Sequence, residues 1–373
     1  MLVISEDWFF LSHRRALGEA CLAAGWQVVV ATHVTNHGDI IRRAGFQLEP
    51  LPLERGGLNP LRELRCVARL ALLLARHRPD ILHSVALKPL LYANLPALLL
   101  GPRARVSAIA GLGYAFTGGD LARRALRAGL ELALRLVLRR KGSAVIVQND
   151  DDRRVVCERG LATAGQVTLI PGSGVDLEAW PALPPPDADG QPVIFALVAR
   201  MLGDKGVIEA VEAVRLLRAQ GVTVRLWLVG ATDPQNPTSL PEERLRAWQA
   251  EGLAEWLGQR SDVADIWRQA HVAVLPSYRE GMPRSLLEAA ACGRPIITTD
   301  VPGCRQVIDD GVEGILVPAR ESAGLAAAMR RLAGDEGLRR SMGLAARARA
   351  EARFGVGAVV AAHLALYRRL LEG

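Results

Sequence analysis

Residues 181–206 read PALPPPDADGQPVIFALVARMLGDKG, and this stretch decides how the chain is organised. Its first twelve residues hold five prolines, are rich in Ala and Asp, and show no periodicity. Such a segment reads as an interdomain linker. The next six, 193–198, are a continuous apolar run of strand type. A glycine turn with Arg200 and Lys205 follows, and helical spacing begins at 205. A strand–turn–helix unit that opens directly after a linker marks the start of a second domain.

Working outward, the same alternation runs through both halves. Toward the C-terminus the pattern predicts strands at 193–198, 224–229, 272–276, 295–298 and 314–317. It predicts helices at 205–220, 241–250, 283–292, 322–333 and 337–353, and a last helix at 356–371. Toward the N-terminus it predicts strands at 2–5, 27–32, 81–84, 106–110, 144–148 and 167–170. The helices there are 12–24 (with Ser12 as N-cap), 60–77, 89–100, 121–141 and 151–160. Strands alternating with helices argue for α/β domains, each a parallel sheet covered on both faces. The halves share an architecture and no repeated sequence. The expected division is 1–180 for the first domain, 181–192 for the linker and 193–355 for the second domain.

The composition is globular: of 373 residues, 50% are hydrophobic, 23% charged and 5% aromatic. That supplies two cores of ordinary size. The five cysteines are scattered, with no CxxC or Cys/His ligand spacing, so neither a disulfide framework nor a zinc site is indicated. A reducing, cytoplasmic setting is expected. Residues 1–10 lack the basic region of a secretory signal, and the apolar runs are shorter than the ~20 residues of a bilayer span. The net charge of +7 is uneven. Residues 1–180 hold 23 Lys and Arg against 16 Asp and Glu, while 181–373 hold 23 of each. A basic first half could face nucleic acid, an anionic membrane or a phosphorylated substrate.

Three regions carry candidate chemistry. The first strand runs into SEDWFFLSHR, 5–14. A dinucleotide site would need glycines there, and no GxGxxG or Walker A sequence occurs in the chain. Trp8, Phe9 and Phe10 either pack under the first helix or meet a sugar or lipid. His13 and Arg14 are read as a helix start that would welcome an anion. In the second half, Arg200 and Lys205 flank a glycine turn at the C-terminal end of a strand, where open α/β sheets bind ligands. A fork donor with a point charge suits a diphosphate. The third region, 276–289, reads PSYREGMPRSLLEA. Pro283 suits a first helical turn, so backbone N–H groups of 281–285 face the same ligand. Glu280 precedes that helix and Glu288 lies within it, so the two carboxylates can reach different hydroxyls of one ligand. The Asp150-Asp151-Asp152 run contains a DxD but is read as a helix-capping cluster, and no metal is called for. The segment 121–141 is a basic amphipathic helix of the kind that lies on anionic lipid, or a sheet-packing helix with a solvated arginine face.

Glu280 and Glu288 match the E-x7-E motif of retaining family-four glycosyltransferases of the GT-B fold. The resemblance extends to LPS (275–277), EAAACGRP (288–295), TDVPGC (299–304), GSGVD (172–176) and 258–262. In the first half, 7–14 and GLGYAF (111–116) resemble bacterial enzymes that build surface polysaccharides and lipid-linked oligosaccharides. Among them are transferases that add N-acetylhexosamine to an undecaprenyl-diphosphate sugar. The resemblance implies two facing Rossmann-like domains with a cleft between them, the last helix (356–373) returning to the first domain. It implies a UDP-sugar as co-substrate and no metal cofactor. Arg200 and Lys205 would hold the donor diphosphate, Glu280 the donor sugar and Glu288 the ribose. Gly230, Gly281, Met282, Pro283 and Arg260 (within the base-contacting 259–261) would complete the donor set. Glu280, Arg200 and Lys205 form the catalytic set.

On the acceptor side stand Trp8, His13, Arg14, Gly111 and Gly113. Many relatives carry a histidine in the loop that here reads IAGLG, 109–113, and this chain has none there. His13 and His83 are the substitutes. The expected partners are a nucleotide sugar, a lipid-linked saccharide and an anionic membrane surface met by the basic first half, with no nucleic acid. The expected location is peripheral, on the inner face of the cytoplasmic membrane. Two alternatives accompany this reading: a sugar-nucleotide 2-epimerase, and a non-catalytic nucleic-acid-binding protein suggested by a pI near 9.6.

Overall fold

The structure, a computed structural model, describes residues 1–53, 59–109, 121–186 and 190–372, without the side chains of 121–126. The chain divides into two compact units, Met1–Ser173 with Gly357–Gly373, and Gly174–Val356.

In the first unit the elements are β1 (Leu2–Glu6), α1 (Asp7–His13), α2 (Arg15–Ala23), β2 (Val29–His33), α3 (Gly38–Arg43), β3 (Gln47–Pro50), α4 (Pro60–His77), β4 (Ile81–Val85), α5 (Leu87–Leu100), β5 (Ala104–Ile109), α6 (Leu121–Leu138), β6 (Ser143–Val147), α7 (Asp150–Glu158) and β7 (Val167–Leu169). The strands form one parallel sheet in the order β3-β2-β1-β4-β5-β6-β7. The order reverses between β1 and β4, which is the switch point of a doubly wound sheet. Strand side chains alternate between the two faces. Ile4, Phe10, Leu17 and Val106 share a core on one side, while Leu82, Leu70 and Ala93 share a core on the other.

The second unit contains β8 (Val193–Val198), α8 (Val207–Ala219), β9 (Val224–Val229), α9 (Glu242–Ala250), β10 (Glu255–Gly258), α10 (Val263–Gln269), β11 (Val272–Leu275), α11 (Arg284–Ala291), β12 (Ile296–Thr299), β13 (Gly314–Val317), α12 (Ser322–Gly334) and α13 (Glu336–Arg349). A turn of π-helix, Ala350–Phe354, leads to α14 (Val356–Glu372). Its parallel sheet has the order β10-β9-β8-β11-β12-β13, with the switch point between β8 and β11.

Several expectations shift. The division expected at 180 falls at Ser173/Gly174, because Val175 is held within the second unit. Its N–H donates to Phe354 O at 2.8 Å, and its carbonyl accepts from Val356 N at 2.9 Å. The proline-rich stretch is likewise tied to the second unit: Arg294 donates to Pro184 O at 2.7 Å. Ser12 caps nothing. It lies inside α1, donating back to Trp8 O at 2.8 Å, and α2 starts from Arg14 without a side-chain cap. The Asp150–Asp152 run does fill the first turn of α7, but the cap is Asn149, whose side chain accepts from Asp152 N at 2.8 Å.

The last helix packs on the first unit. Val359, His363, Leu366 and Tyr367 are buried there. His83 of β4 meets the Tyr367 hydroxyl, and the His363 ring lies 5.8 Å from the His83 ring. The His363 Nδ1–H donates to Val359 O at 2.8 Å. Burial pulls both imidazoles down, His363 to about 4, and the nearby Arg14 cation adds to this. Both rings are therefore neutral in the fold, while in the unfolded chain they charge below about pH 6.5. The unfolded state takes up more protons as pH falls, so their contribution to stability is full above pH 6.5 and lost on the way to pH 4. Each pKa unit is worth about 1.4 kcal/mol. We therefore expect the melting temperature to drop steeply between pH 6.5 and 4. His363→Leu should flatten that drop in differential scanning calorimetry, and an equally steep drop in the variant would contradict it.

Candidate active site

The turn after β8 is built around backbone constraints. Ala199 N donates to Val229 O at 3.0 Å and Met201 N to Ala231 O at 2.9 Å, so the turn is laid along the end of β9. Residues Gly203–Lys205 make one 3-10 turn, and Gly206 then takes φ 72°. A Cβ on Gly206 would lie 2.0 Å from Pro276 O, so only glycine lets the β8 turn approach the β11 loop. Gly230 has a similar reason. At φ 149°, its Cβ would sit 1.9 Å from Ala199 O.

The loop after β11 is fastened to this turn. Ser277 Oγ donates to Asp204 O at 3.0 Å, and Tyr278 N donates to the same carbonyl at 2.9 Å. The Tyr278 hydroxyl donates to Glu209 Oε1 at 2.5 Å. Burial, with Glu209 beside it, pushes this phenol up to about 12. From the β12 side, Thr299 donates to Ser277 O, and Pro302 O accepts from Glu280 N at 3.3 Å.

These contacts bring most of the expected donor-side residues to one edge of the second unit, at the C-terminal ends of β8 and β11, either side of the switch point. Lys205 Nζ donates to Glu280, and Arg200 donates to Asp233. Arg284 Nε donates to Glu288 Oε1 at 2.7 Å. Glu288 is only 8% exposed. Burial raises its carboxyl, and the Arg284 charge and hydrogen bond pull the other way. Pro283 is the N-cap of α11 rather than its first residue. The first N–H groups of such a helix have no intrahelical acceptor, and the macrodipole adds positive character. Arg260, after β10, is exposed and pairs with Asp262 at 2.8 Å.

Sequence reasoning missed Asp233. It stands in the loop after β9, with its N–H donating to Ser239 Oγ at 2.9 Å, and nothing in its local pattern marks it. It also missed Tyr278 as a strut between the two loops.

On the first unit, Asp7 organises the turn after β1. Its carboxylate accepts from Thr35 N and Thr35 Oγ1 at 2.7 Å, His37 N at 2.9 Å and Trp8 N at 2.8 Å. Burial alone would raise this carboxyl, but the hydrogen bonds outweigh it and hold it low. Of the three aromatics, Phe10 is core, edge-on to Phe46 at 5.0 Å, whereas Trp8 is 37% exposed. Phe9 stacks on His13 at 4.1 Å, and His13 Nδ1 lies 2.6 Å from Ser12 Oγ.

Arg14 departs from expectation. It is 3% exposed, donates to His13 O at 2.9 Å, and is pulled down to about 10 by burial. It is turned into the core beneath α14 instead of toward an anion. His83 is equally buried, against Tyr367. Gly111 and Gly113 lie outside the described residues. Across the switch point from β1, Ala86 has φ 76°, and Lys88 pairs with Glu63 at 2.6 Å while lying 5.7 Å from the Tyr92 ring centroid. A non-glycine residue held at positive φ marks a point where the fold stores strain.

Comparison with known proteins agrees with this architecture. Residues 192–335 match the model of glycosyl transferases group 1, and residues 1–149 match that of the glycosyl transferase 4-like domain. The chain is 26% identical over 347 residues to the N,N'-diacetylbacillosaminyl-diphospho-undecaprenol alpha-1,3-N-acetylgalactosaminyltransferase of Campylobacter jejuni, covering 89% of this chain and 88% of that protein. The sucrose-phosphate synthase of Thermosynechococcus elongatus shares the fold with a TM-score of 0.80 at 23% identity, over 100% of this chain and 99% of that one. Anabaena HepE, solved with UDP-glucose, does so at 0.74 and 18%, over 98% and 99%. The epimerase and non-catalytic readings are set aside. With a 4-like domain in its first half and a group 1 domain in its second, the chain belongs to the GT-B glycosyltransferases and is a transferase enzyme.

Proposed function

We propose that this transferase is retaining and moves an N-acetylhexosamine from a UDP-sugar to a polyprenyl-diphosphate-linked saccharide in surface glycan assembly, at the inner face of the cytoplasmic membrane. One observation carries the donor half of this reading. Arg200, Lys205 and the start of α11 meet at one sheet edge, and each of the two cations rests on a carboxylate. The acceptor half is supported by the name of the Campylobacter relative, which transfers to an undecaprenol-diphospho sugar.

In this reading the donor diphosphate takes the places of Asp233 on Arg200 and of Glu280 on Lys205. As the glycosidic bond breaks, negative charge grows on the leaving diphosphate. Preorganised donors aimed at developing charge contribute roughly 3 kcal/mol each in comparable sites. Arg200, Lys205 and the α11 N-terminus supply that here, so the reading asks for no divalent metal. Released from Lys205, Glu280 positions the donor sugar, and Glu288 accepts from the ribose hydroxyls. Gly281, Met282 and Pro283 line the diphosphate path, and the backbone around Arg260 meets the base. Trp8 and His13 remain the acceptor-side candidates on the first unit, and Arg14 is dropped from that set.

Isothermal calorimetry with UDP tests the donor site. The wild type should bind, and Arg200→Ala and Glu288→Ala should each weaken binding at least tenfold, about 1.4 kcal/mol. If the wild type binds neither UDP nor another nucleoside diphosphate, the reading falls. Asp233→Asn should have the opposite sign. It frees Arg200 and removes a carboxylate from beside a dianion, so UDP should bind about threefold tighter, in line with the ~0.2–1 kcal/mol of a part-exposed pair. Weaker binding by Asp233→Asn would mean that Asp233 orients Arg200 rather than competing for it.

A further inference from the structure

The helices α4, α5 and α6 form one layer on a single face of the first unit's sheet. Leu70, Leu73, Ala93 and Ala97 join α4 to α5, and Leu90, Leu134 and Val137 join α5 to α6. With their inner sides satisfied in this way, the outer sides should be polar. They are not. Leu61, Leu64 and Leu72 on α4, Leu99 on α5, and Leu132 and Leu136 on α6 are exposed, Leu99 to 91% and Leu132 to 68%. Among the described residues, eight of the fourteen exposed large hydrophobic side chains lie on these three helices, and only three lie in the whole second unit. So many leucines on one solvent face are more than the scattered apolar residues of an ordinary surface.

The charges around them have one sign. The carboxylates on the described side chains of these helices, Glu63 and Glu131, are both neutralised, by Lys88 at 2.6 Å and Arg159 at 2.6 Å. Arg62 and Arg65 on α4, and Arg139, Arg140 and Lys141 just past α6, are exposed. Leucines framed by exposed arginine and lysine match the surface of an anionic bilayer, where apolar side chains enter the interface and cations meet the headgroups. A second copy of the chain would bring the same positive charge against itself. No helix among the described residues is long and apolar enough to cross a membrane, so docking would be lateral.

We infer that the outer face of α4–α5–α6 is a membrane-docking surface for anionic lipid. This deepens the proposed function, since a polyprenyl-linked acceptor resides in a bilayer, but its test does not depend on transfer activity. The full chain is sedimented with vesicles of phosphatidylcholine alone, or with a third of the lipid replaced by phosphatidylglycerol. The wild type should pellet with the anionic vesicles and much less with the neutral ones. Leu99→Ser with Leu132→Ser, and separately Arg139→Gln with Arg140→Gln, should each lower the partition coefficient about tenfold while leaving UDP binding and the circular dichroism spectrum unchanged. The inference is overturned if the wild type stays in solution with both vesicle types, or if the leucine variant pellets like the wild type. A wild-type dimer that the leucine variant dissolves, with no vesicle binding, would assign the face to a second copy. Vesicle binding without any nucleotide binding would keep the docking surface and remove the donor-site reading.

Discussion

The Asp204 carbonyl accepts two hydrogen bonds from the β11 loop, from Ser277 Oγ at 3.0 Å and Tyr278 N at 2.9 Å, and the geometry of the donor-side edge depends on that junction. It brings the turn carrying Arg200 and Lys205 against the loop carrying Glu280, although the two are separated by the whole of α8, β9, α9, β10, α10 and β11. Gly206 makes the approach sterically possible, and the Tyr278–Glu209 bond at 2.5 Å braces it from the α8 side. Each contact is small, since a net hydrogen bond is worth only about 1 kcal/mol. Together they fix the two cations and the helix start at one edge of the sheet.

How much of this was legible in the sequence follows from what each element depends on. Strand 193–198 is a continuous apolar run, mostly buried, and 224–229 is buried from Leu226 onward with only Arg225 exposed, so the bounds of both come out as read. β3 (QLEP) and β10 (EWLG) are no shorter than β11 (VAVL), β12 (IITT) and β13 (GILV), but they lack the apolar or β-branched run that made those legible, and α3 and α10, six and seven residues long, are too short to show a helical period. The expected donor-side residues come out at one sheet edge because they cluster around two turns, each at the end of a strong strand. Asp233 was not legible, because its role comes from a loop brought to Arg200 by the pairing of β8 with β9. Arg14 was misread for a related reason. Its position at a helix start is local information, but the direction of its side chain is set by α14, more than three hundred residues away.

That buried arginine shows how the first unit is closed. Arg14, His83, His363 and Tyr367 bring three basic groups together under α14, and no carboxylate of the cluster answers them. Burial forces both imidazoles to stay neutral, which leaves the Arg14 charge to be tolerated rather than paired. A single charge of this kind is costly to bury. It persists because Asp7, four hydrogen bonds deep in the turn after β1, and the packing of Phe10 on Phe46 leave α1 and α2 little freedom to turn it outward. The aromatic run 8–10 is thereby split between jobs. Phe10 holds the core, Phe9 holds His13, and Trp8 is left at the surface.

The paired state of the donor-side cations has a consequence for specificity. A cation already satisfied by a carboxylate has little to gain from a single weak acceptor, because exchanging one ion pair for another is close to neutral in energy. A ligand that contacts Arg200, Lys205 and the α11 N-terminus at once displaces two carboxylates and gains three sites of positive potential in one event, and it recovers Glu280 as an acceptor for its own hydroxyls. On the proposed reading a monophosphate would reach fewer of these and leave one ion pair intact. Asp233 and Glu280 would, on the proposed reading, act as a threshold that a diphosphate passes and simpler anions do not. On that reading, the carboxylates paired with Arg200 and Lys205 would bias the edge toward ligands carrying both a diphosphate and a sugar.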